Sequence, residues 1–461
     1  MTSNQQVAFH SLSTLLCSPK PLSYLVAFDA SHSWCWQSLL SDIDYNSKKL
    51  QQSQAKKVAL CCSNSYQFAV GFFAIACARK SIVLPGNHQP EALIELSQQF
   101  DLLFCDGESD VSEHVRSMNI DIATPSNSMF SYSPLALDEI SLILFTSGSS
   151  GKPKAINKTL HQLDTEIAIL EQLWGEQLQH SRIESTVSHQ HIYGLLFRVL
   201  WPLCAGRAFA CRNLEYPEQI ASHASSNTTL ISSPALLKRL SLEDTPSTLT
   251  AIFSSGGPLS FSAAQHALQL YSQSPIEVFG STETGGIAFR QQHTSEQLWQ
   301  LFPSVKAQLD DHQCLQLCSP HINGTDWYQT SDRCYFHDAV HFRLLGRADR
   351  IIKVEEKRVS LVEVENRLDH TSWVNESTVI PLEENGRLIL VAAIVLTEEG
   401  TDKLQQLGKG KFWIQLRNEL RAWLEPIAIP RKYRVLNDIP VNSQGKKQFS
   451  QIEALFKDKC S

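Results

Sequence analysis

Short apolar runs alternating with helix-spaced segments set the architecture of this chain. Residues 57–62 (KVALCC) have the length of a buried strand, 66–80 carry large apolar side chains on every face as a buried helix does, and 82–84 form a second strand stopped by Pro85 and Gly86. Residues 90–100 predict a helix leading into another short strand at 102–105. That rhythm predicts part of a parallel sheet with helices on both faces before a Pro/Ser-rich connection at 125–134. Further on, 142–145 predict a strand, 160–173 a helix, 230–231 a strand followed by a helix with Pro234 near its start, and 252–259 (IFSSGGPL) a strand running into a Gly-Gly-Pro turn. Residues 308–318 alternate as a hairpin does, and 337–345 suggest a strand pair. After 346–350 (GRADR) the character changes to a compact run of strands and amphipathic helices: a charged helix at 360–368, a strand at 388–396, a helix at 411–424, and a segment at 427–435 that leads through 438–441 into a terminal loop. The expectation is an α/β protein with a large N-terminal domain of layered sheets and helices, residues 1–347, and a small mobile α+β C-terminal domain, residues 350–461.

Composition narrows the function classes. With 461 residues the chain has room for two or three domains, each with its own core. Forty Lys and Arg against forty-seven Asp and Glu give a formal charge of −7, no general footprint for nucleic acid or an anionic membrane. Any binding of a polyanion is therefore local. Twelve cysteines without a CxxC pair indicate neither a zinc site nor a disulfide framework, and suggest reduced thiols in a cytoplasmic protein. The N-terminus lacks the basic and apolar regions of a signal peptide, and the longest apolar run, 68–78, is too short to span a bilayer.

Candidate chemistry concentrates at 142–154 (LILFTSGSSGKPK). A buried strand runs into small, hydroxylated or side-chain-free residues, Thr146, Ser147, Gly148, Ser149, Ser150 and Gly151, whose N–H groups and hydroxyls can close round phosphate oxygens, while Lys152 and Lys154 supply charge. Pro153 excludes the Walker loop, which needs GxxxxGK[ST] running straight into a helix. A Gly/Ser loop standing by itself is also a common flexible turn. Four later segments add to it in order: FGSTETGG at 279–286, YQTSD at 328–332, GRADRIIKV at 346–354 and NSQGKKQF at 442–449.

This ordered set resembles the adenylate-forming superfamily of acyl-CoA synthetases, peptide-synthetase adenylation domains and luciferases, clearly from about residue 140 onward and thinly before that. The resemblance implies an AMP-forming carboxylate ligase that uses ATP and Mg²⁺. In it 146–152 hold the β- and γ-phosphates, Gly256 and Gly280 lie against the nucleotide, Phe279 faces the adenine and Thr282 meets the α-phosphate. Glu283 is the Mg²⁺ ligand, an oxygen donor suited to a hard cation. Asp332 accepts from the ribose hydroxyls and Arg347 contacts ribose or phosphate, although Ser331 stands where the family has glycine. His191, with Gly194 and Tyr193, matches the wall of the acyl pocket; a satisfied core histidine is the equal alternative. Asp349 falls at the hinge, and Lys446, rather than its neighbour Lys447, matches the catalytic lysine.

The acid is a small molecule that the sequence does not name. The acceptor implied is a phosphopantetheine thiol, on CoA or on an acyl carrier protein. One departure leans toward the carrier: Val354, Glu355, Glu356, Lys357, Arg358 place Glu356 where many CoA-using relatives have glycine, and a carboxylate there opposes a phosphorylated nucleotide. Transfer of the adenylate to an amine, or a catalytically silent ATP-binding paralogue, are the rival readings.

Overall fold

The computed structural model describes residues 8–86, 89–107, 115–122, 130–147, 153–241, 245–324, 326–354, 357–384, 387–442 and 446–457. By compactness the chain forms two units, residues 1–306 with 318–326, and residues 307–317 with 327–461.

In the first unit, a six-stranded sheet runs in the order Ser117–Asn119, Leu102–Cys105, Lys57–Cys61, Ser81–Leu84, Ser141–Ser147, Pro153–Thr159. Every pairing is parallel except the last. The predicted buried helix is Ser65–Cys77; Asn64 starts it by accepting from the N–H groups of Tyr66 and Gln67, and its residues Phe68 to Ala76 are all buried. An apolar helix of that kind is stable only between layers. The helix expected at 90–100 instead breaks at Leu96 into Pro90–Glu95 and a single tight turn, Ser97–Gln99. The break lets Leu93, Leu96 and Phe100 all enter the cluster formed with Ala59, Val83 and Leu103.

The second sheet of this unit runs in the order Trp299–Leu301, Gly285–Gln291, Ile276–Ser281, Ala251–Ser254, Thr228–Ser232, Arg182–Ser185, Phe209–Ala210, Leu25–Phe28, Ser33–Cys35. Its centre is parallel and its Ile276 end antiparallel. The first 50 residues, silent in the sequence, contribute two of those strands and the helix Trp36–Gln51, whose one apolar face buries Trp36, Leu39, Leu40, Ile43 and Leu50.

In the second unit, Cys314–Cys318 pairs antiparallel with Tyr328–Phe336, and that strand with His341–Arg347. A short hairpin, Ile351–Val354 with Lys357–Ser360, precedes the helix Leu361–Asp369, capped by Ser360. A three-stranded sheet follows: Val374–Glu384 antiparallel to Arg387–Leu396, which is parallel to Lys432–Val435. The helix expected at 411–424 is the second half of Glu398–Leu420, which is broken at Gly408 (φ 73°). Grouping by compactness differs from the boundary expected at 347–350, because the strands up to Arg347 form hairpins with one another and join the later residues. Among the described residues, no helix is long and apolar enough to cross a membrane.

Candidate functional site

The strands on either side of the phosphate-loop segment pair with each other. Strand Ser141–Ser147 is antiparallel to Pro153–Thr159, with Thr146 opposite Lys154 and Ser147 opposite Pro153. Proline suits this position because the returning strand is the edge of its sheet and Pro153 is its first residue. Gly148, Ser149, Ser150, Gly151 and Lys152 lie outside the described residues.

Lys154, exposed on the returning strand, donates to Glu283 Oε1 at 2.9 Å. Glu283 sits in the loop between Ile276–Ser281 and Gly285–Gln291, so the segment is a β-hairpin turn and not the start of a helix. Ser281 and Thr284 lock it: Ser281 N donates to Thr284 Oγ1 at 3.0 Å and Thr284 N to Ser281 Oγ at 3.2 Å. Glycine is required here, since a Cβ on Gly280 would lie 2.2 Å from the Gly285 carbonyl oxygen and Gly285 has φ +66°. Burial pushes the Glu283 carboxyl up, but the hydrogen bond and charge of Lys154, together with hydrogen bonds from its own backbone and from Ser281, outweigh it and hold the group below the usual carboxylate value. Thr282 lies beside it, half-buried.

A second layer supports this turn, and motif matching missed it. Lys158, buried on the same strand as Lys154, donates to the carbonyls of Glu283 at 3.1 Å and His321 at 2.7 Å. Glu166, buried on the helix Leu160–Trp174, accepts from Gly286 N at 2.7 Å. Buried His321 places Nδ1 3.3 Å from the Gly286 carbonyl, so Nδ1 carries the hydrogen; burial lowers its basicity. The signal available was a lysine at an inward position of an edge strand.

The turn after Ala251–Ser254 contains Gly256, in the left-handed region with φ +95°. Ser255 Oγ donates to the Val278 carbonyl at 2.8 Å, which sets the turn beside Phe279, whose ring lies 5.6 Å from Trp299. Buried Glu277 anchors the other side: its carboxylate takes two hydrogen bonds from Arg290, at 2.8 and 3.1 Å, one from Gln292 at 2.7 Å, and the Leu259 N–H at 3.2 Å. This paired charge was also missed, being split between strands in sequence.

Of the histidines near 190, His189 is the core histidine, bonded to Ser65 Oγ at 2.9 Å and the Cys62 carbonyl at 2.8 Å. His191 is half-buried at the start of Ile192–Gly194, its ring 3.8 Å from where a Cβ on Gly86 would sit. Gly194 passes so close to the Ser188 carbonyl oxygen that a Cβ would lie 2.0 Å from it, which is why the turn needs glycine there. Tyr193 stacks obliquely on Phe197 at 4.8 Å, at the entry to a π-helical turn, Leu195–Leu200.

In the second unit, Asp332 and Arg347 are cross-strand partners with their charged groups 3.6 Å apart. Ser331 is an ordinary strand residue within Tyr328–Phe336, and Asp332 is fixed through its N–H to Thr330 Oγ1 at 3.1 Å. Asp349 lies in the one-turn helix Ala348–Arg350. The next residue, Arg350, is tied to Glu365 and to the Val379 carbonyl, with Phe449 beneath it at 4.6 Å. Lys446 follows the undescribed residues 443–445; its N–H bonds Asn442 Oδ1 at 3.0 Å and its side chain is exposed. Lys447 instead turns inward, donating to the Ser377 carbonyl at 2.6 Å. Glu355 and Glu356 lie outside the described residues.

A family model described as AMP-binding enzyme matches residues 21–317, more than half of the chain. The chain belongs to the AMP-binding enzyme family. A curated relative, the D-alanine–D-alanyl carrier protein ligase of Staphylococcus haemolyticus (strain JCSC1435), is 33% identical over 131 residues, 28% of this chain and 26% of the relative. The Staphylococcus aureus (strain JH9) protein of the same name is 33% identical over 125 residues, 27% of this chain and 24% of the relative. The match thus spans about a quarter of these relatives' length. Among solved structures, ATP-bound MatB from Rhodopseudomonas palustris superposes with TM-score 0.81 at 16% identity, covering 98% of this chain and 99% of that one. A benzoate CoA ligase from Burkholderia xenovorans LB400 gives TM-score 0.77 at 16% identity, covering 97% and 100%. At that identity the likeness is one of fold, and it shows the layered α/β fold with a larger N-terminal and a smaller C-terminal part.

For this AMP-binding enzyme, Glu283 is chemically suited to a hard cation. It is an ionised carboxylate that already takes a cation, the Lys154 ammonium, on one oxygen. Mg²⁺ uses few protein ligands and fills its shell with water and phosphate oxygens. No cluster of three metal-ligating side chains occurs among the described residues.

Proposed function

We propose that the protein is an ATP-dependent carboxylate ligase that activates a small carboxylic acid as its acyl-adenylate and passes the acyl group to a phosphopantetheine thiol. The observation that carries this reading is the meeting of the phosphate-loop hairpin with the FGSTETGG turn, through Lys154 and Glu283, within a chain of the AMP-binding enzyme family. Residues 146–152 hold the β- and γ-phosphates, and the Gly256 turn with Phe279 and Gly280 takes the adenine. Thr282 donates to the α-phosphate, Asp332 and Arg347 take the ribose, and His191 and Tyr193 border the acid. Mg²⁺, when bound at Glu283, neutralises phosphate charge.

A carboxylate oxygen of the acid attacks the α-phosphorus in line, the bond to the bridging oxygen breaks, and pyrophosphate leaves. Catalysis of this step is positioning and charge neutralisation. Lys446 supplies the cation between the attacking carboxylate and the α-phosphate; its exposed side chain, beside a Lys447 tied to Ser377, supports that assignment. In the second step a thiolate sulfur attacks the carbonyl carbon of the mixed anhydride and AMP departs. Asp349 is the proposed pivot between the two steps. The named function of the curated relatives supports a carrier protein as the thiol donor, with CoA as the alternative.

Pyrophosphate exchange into ATP, measured with a panel of aliphatic, aromatic and amino acids, tests the first step. Exchange dependent on one class of acid is expected; none with any acid, from folded protein, contradicts the reading.

A further inference from the structure

Strand Pro153–Thr159 buries Ile156 and Lys158 on one face, and Lys154 shares that face by the two-residue period of a strand. An edge strand with one inward face calls for an apolar side chain at 158. The chain instead places there a lysine that is only 3% exposed. Burying a cation is unfavourable unless its donors are satisfied, and an alkyl chain of equal length would fill the space without that penalty.

This ammonium donates to two backbone carbonyls, Glu283 at 3.1 Å and His321 at 2.7 Å. Three residues past Glu283, the Gly286 N–H is held by buried Glu166 at 2.7 Å, and the Gly286 carbonyl by His321 Nδ1 at 3.3 Å. The loop carrying Glu283 is therefore gripped at both ends, a carbonyl by a cation and an N–H by an anion, from two consecutive elements of the chain. Segment 318–326 is fastened to the same elements: Gln162 Nε2 donates to Asn323 Oδ1 and Asn323 Nδ2 to the Asn157 carbonyl, each at 2.9 Å. Lys154 and Lys158 thus bracket one residue, the first reaching its side chain and the second its backbone.

We infer that Lys158, assisted by Glu166, is a positioning residue that fixes the backbone of Glu283 and so aims its carboxylate at the metal–nucleotide complex. Lys158 touches neither nucleotide nor acid in this role; it acts through Glu283, and the inference rests on the proposed role of Glu283 as cation ligand. Outer partners that orient a metal ligand are typically worth about tenfold or more in metal affinity.

The test uses the full-length protein and measures binding of Mn²⁺–ATP by the electron paramagnetic resonance of free Mn²⁺, binding of metal-free ATP by calorimetry, and melting temperature. Lys158→Met is expected to weaken Mn²⁺–ATP binding about tenfold or more while leaving metal-free ATP binding unchanged, and Lys158→Arg to restore most of the loss. Glu283→Gln runs in parallel. If Glu283→Gln weakens Mn²⁺–ATP binding but Lys158→Met does not, the positioning role is wrong and the role of Glu283 stands. If Glu283→Gln binds as wild type, the role of Glu283 is itself wrong, and the inference falls with it. An equal loss of ATP binding with and without metal in Lys158→Met would make Lys158 a packing residue and overturn the inference. Should Lys158→Met not fold, Glu166→Ala carries the same measurement, with the same selective loss expected and wild-type binding overturning it.

Discussion

Two adjacent lysines end the motif-bearing part of the chain, and their surroundings separate them. Lys447 spends its ammonium on the Ser377 carbonyl, a contact that fastens the terminal loop to the sheet strand Val374–Glu384, while the Lys446 side chain is exposed. Lys446→Ala is expected to lower the rate of pyrophosphate exchange by about 10² or more, the scale of removing one group aimed at transition-state charge, with the melting temperature unchanged. Lys447→Ala should do the reverse, lowering the melting temperature more than the rate. Exchange at wild-type rate in Lys446→Ala would move the catalytic role elsewhere. Gly194 makes a second prediction at this scale. A methyl group there would press on the Ser188 carbonyl oxygen at 2.0 Å. Gly194→Ala should therefore displace the turn that carries His191, destabilising the fold by about 1–3 kcal/mol. It should also raise KM for the acid more than KM for ATP; equal KM values and an unchanged melting temperature would contradict this placement.

Among the elements, the hairpin joining Tyr328–Phe336 to His341–Arg347 sets Asp332 opposite Arg347, and its loop is held by Asp338. The Asp338 carboxylate accepts from the N–H groups of Val340 at 2.9 Å and His341 at 2.8 Å, and from His341 Nδ1. Those backbone donors first, and the His341 ring after them, pull its pKa to about 2. A carboxyl held lower in the folded than in the unfolded chain stabilises above its unfolded value and loses that contribution as pH falls toward the folded one. The difference in melting temperature between wild type and Asp338→Ala should accordingly be constant at neutral and mildly acidic pH and shrink below about pH 4. A difference that does not change with pH would mean that the carboxylate charge plays no part. Elements with strong periodicity were legible in the sequence: the strand Leu102–Cys105 and the helices Ser65–Cys77, Leu160–Trp174 and Leu361–Asp369 lie where the pattern put them to within a few residues. Elements whose character comes from tertiary contact were not. The strand Pro153–Thr159 reads as polar because Lys158 replaces its apolar side chain, and the helix Trp36–Gln51 hides one apolar stripe among charged residues. The site shows the same division. Contiguous motifs named Glu283, Asp332 and Lys446, whereas Lys158, Glu166, Glu277 and Arg290 act through partners 13 to 163 residues away, a separation that no local pattern reports.

For the molecule as a whole, one backbone serves the two successive steps of the proposed reaction, with Asp349 as the proposed pivot between them. Its neighbour Arg350 is fastened to Glu365, Val379 and Phe449, so rotation on the far side of that anchor has few places other than 346–349 to occur. Asp349→Pro fixes φ at that residue. It is expected to slow thioester formation far more than adenylate formation, measured as separate half-reactions; equal losses would make Asp349 structural only. The acceptor is decided at the same scale. Offered its acid, ATP and Mg²⁺, the protein should load a phosphopantetheinylated carrier protein in preference to CoA, followed by intact mass, and efficient loading of CoA alone would reverse that preference. Beneath both lies the claim that the acid is joined to the α-phosphorus. Acids labelled with heavy oxygen in the carboxyl group, incubated with ATP, Mg²⁺ and a thiol acceptor, test it most directly through the mass of the nucleotide released. AMP carrying one heavy oxygen is expected with the acid that supports exchange; unlabelled AMP, or release of ADP in its place, would contradict the claim.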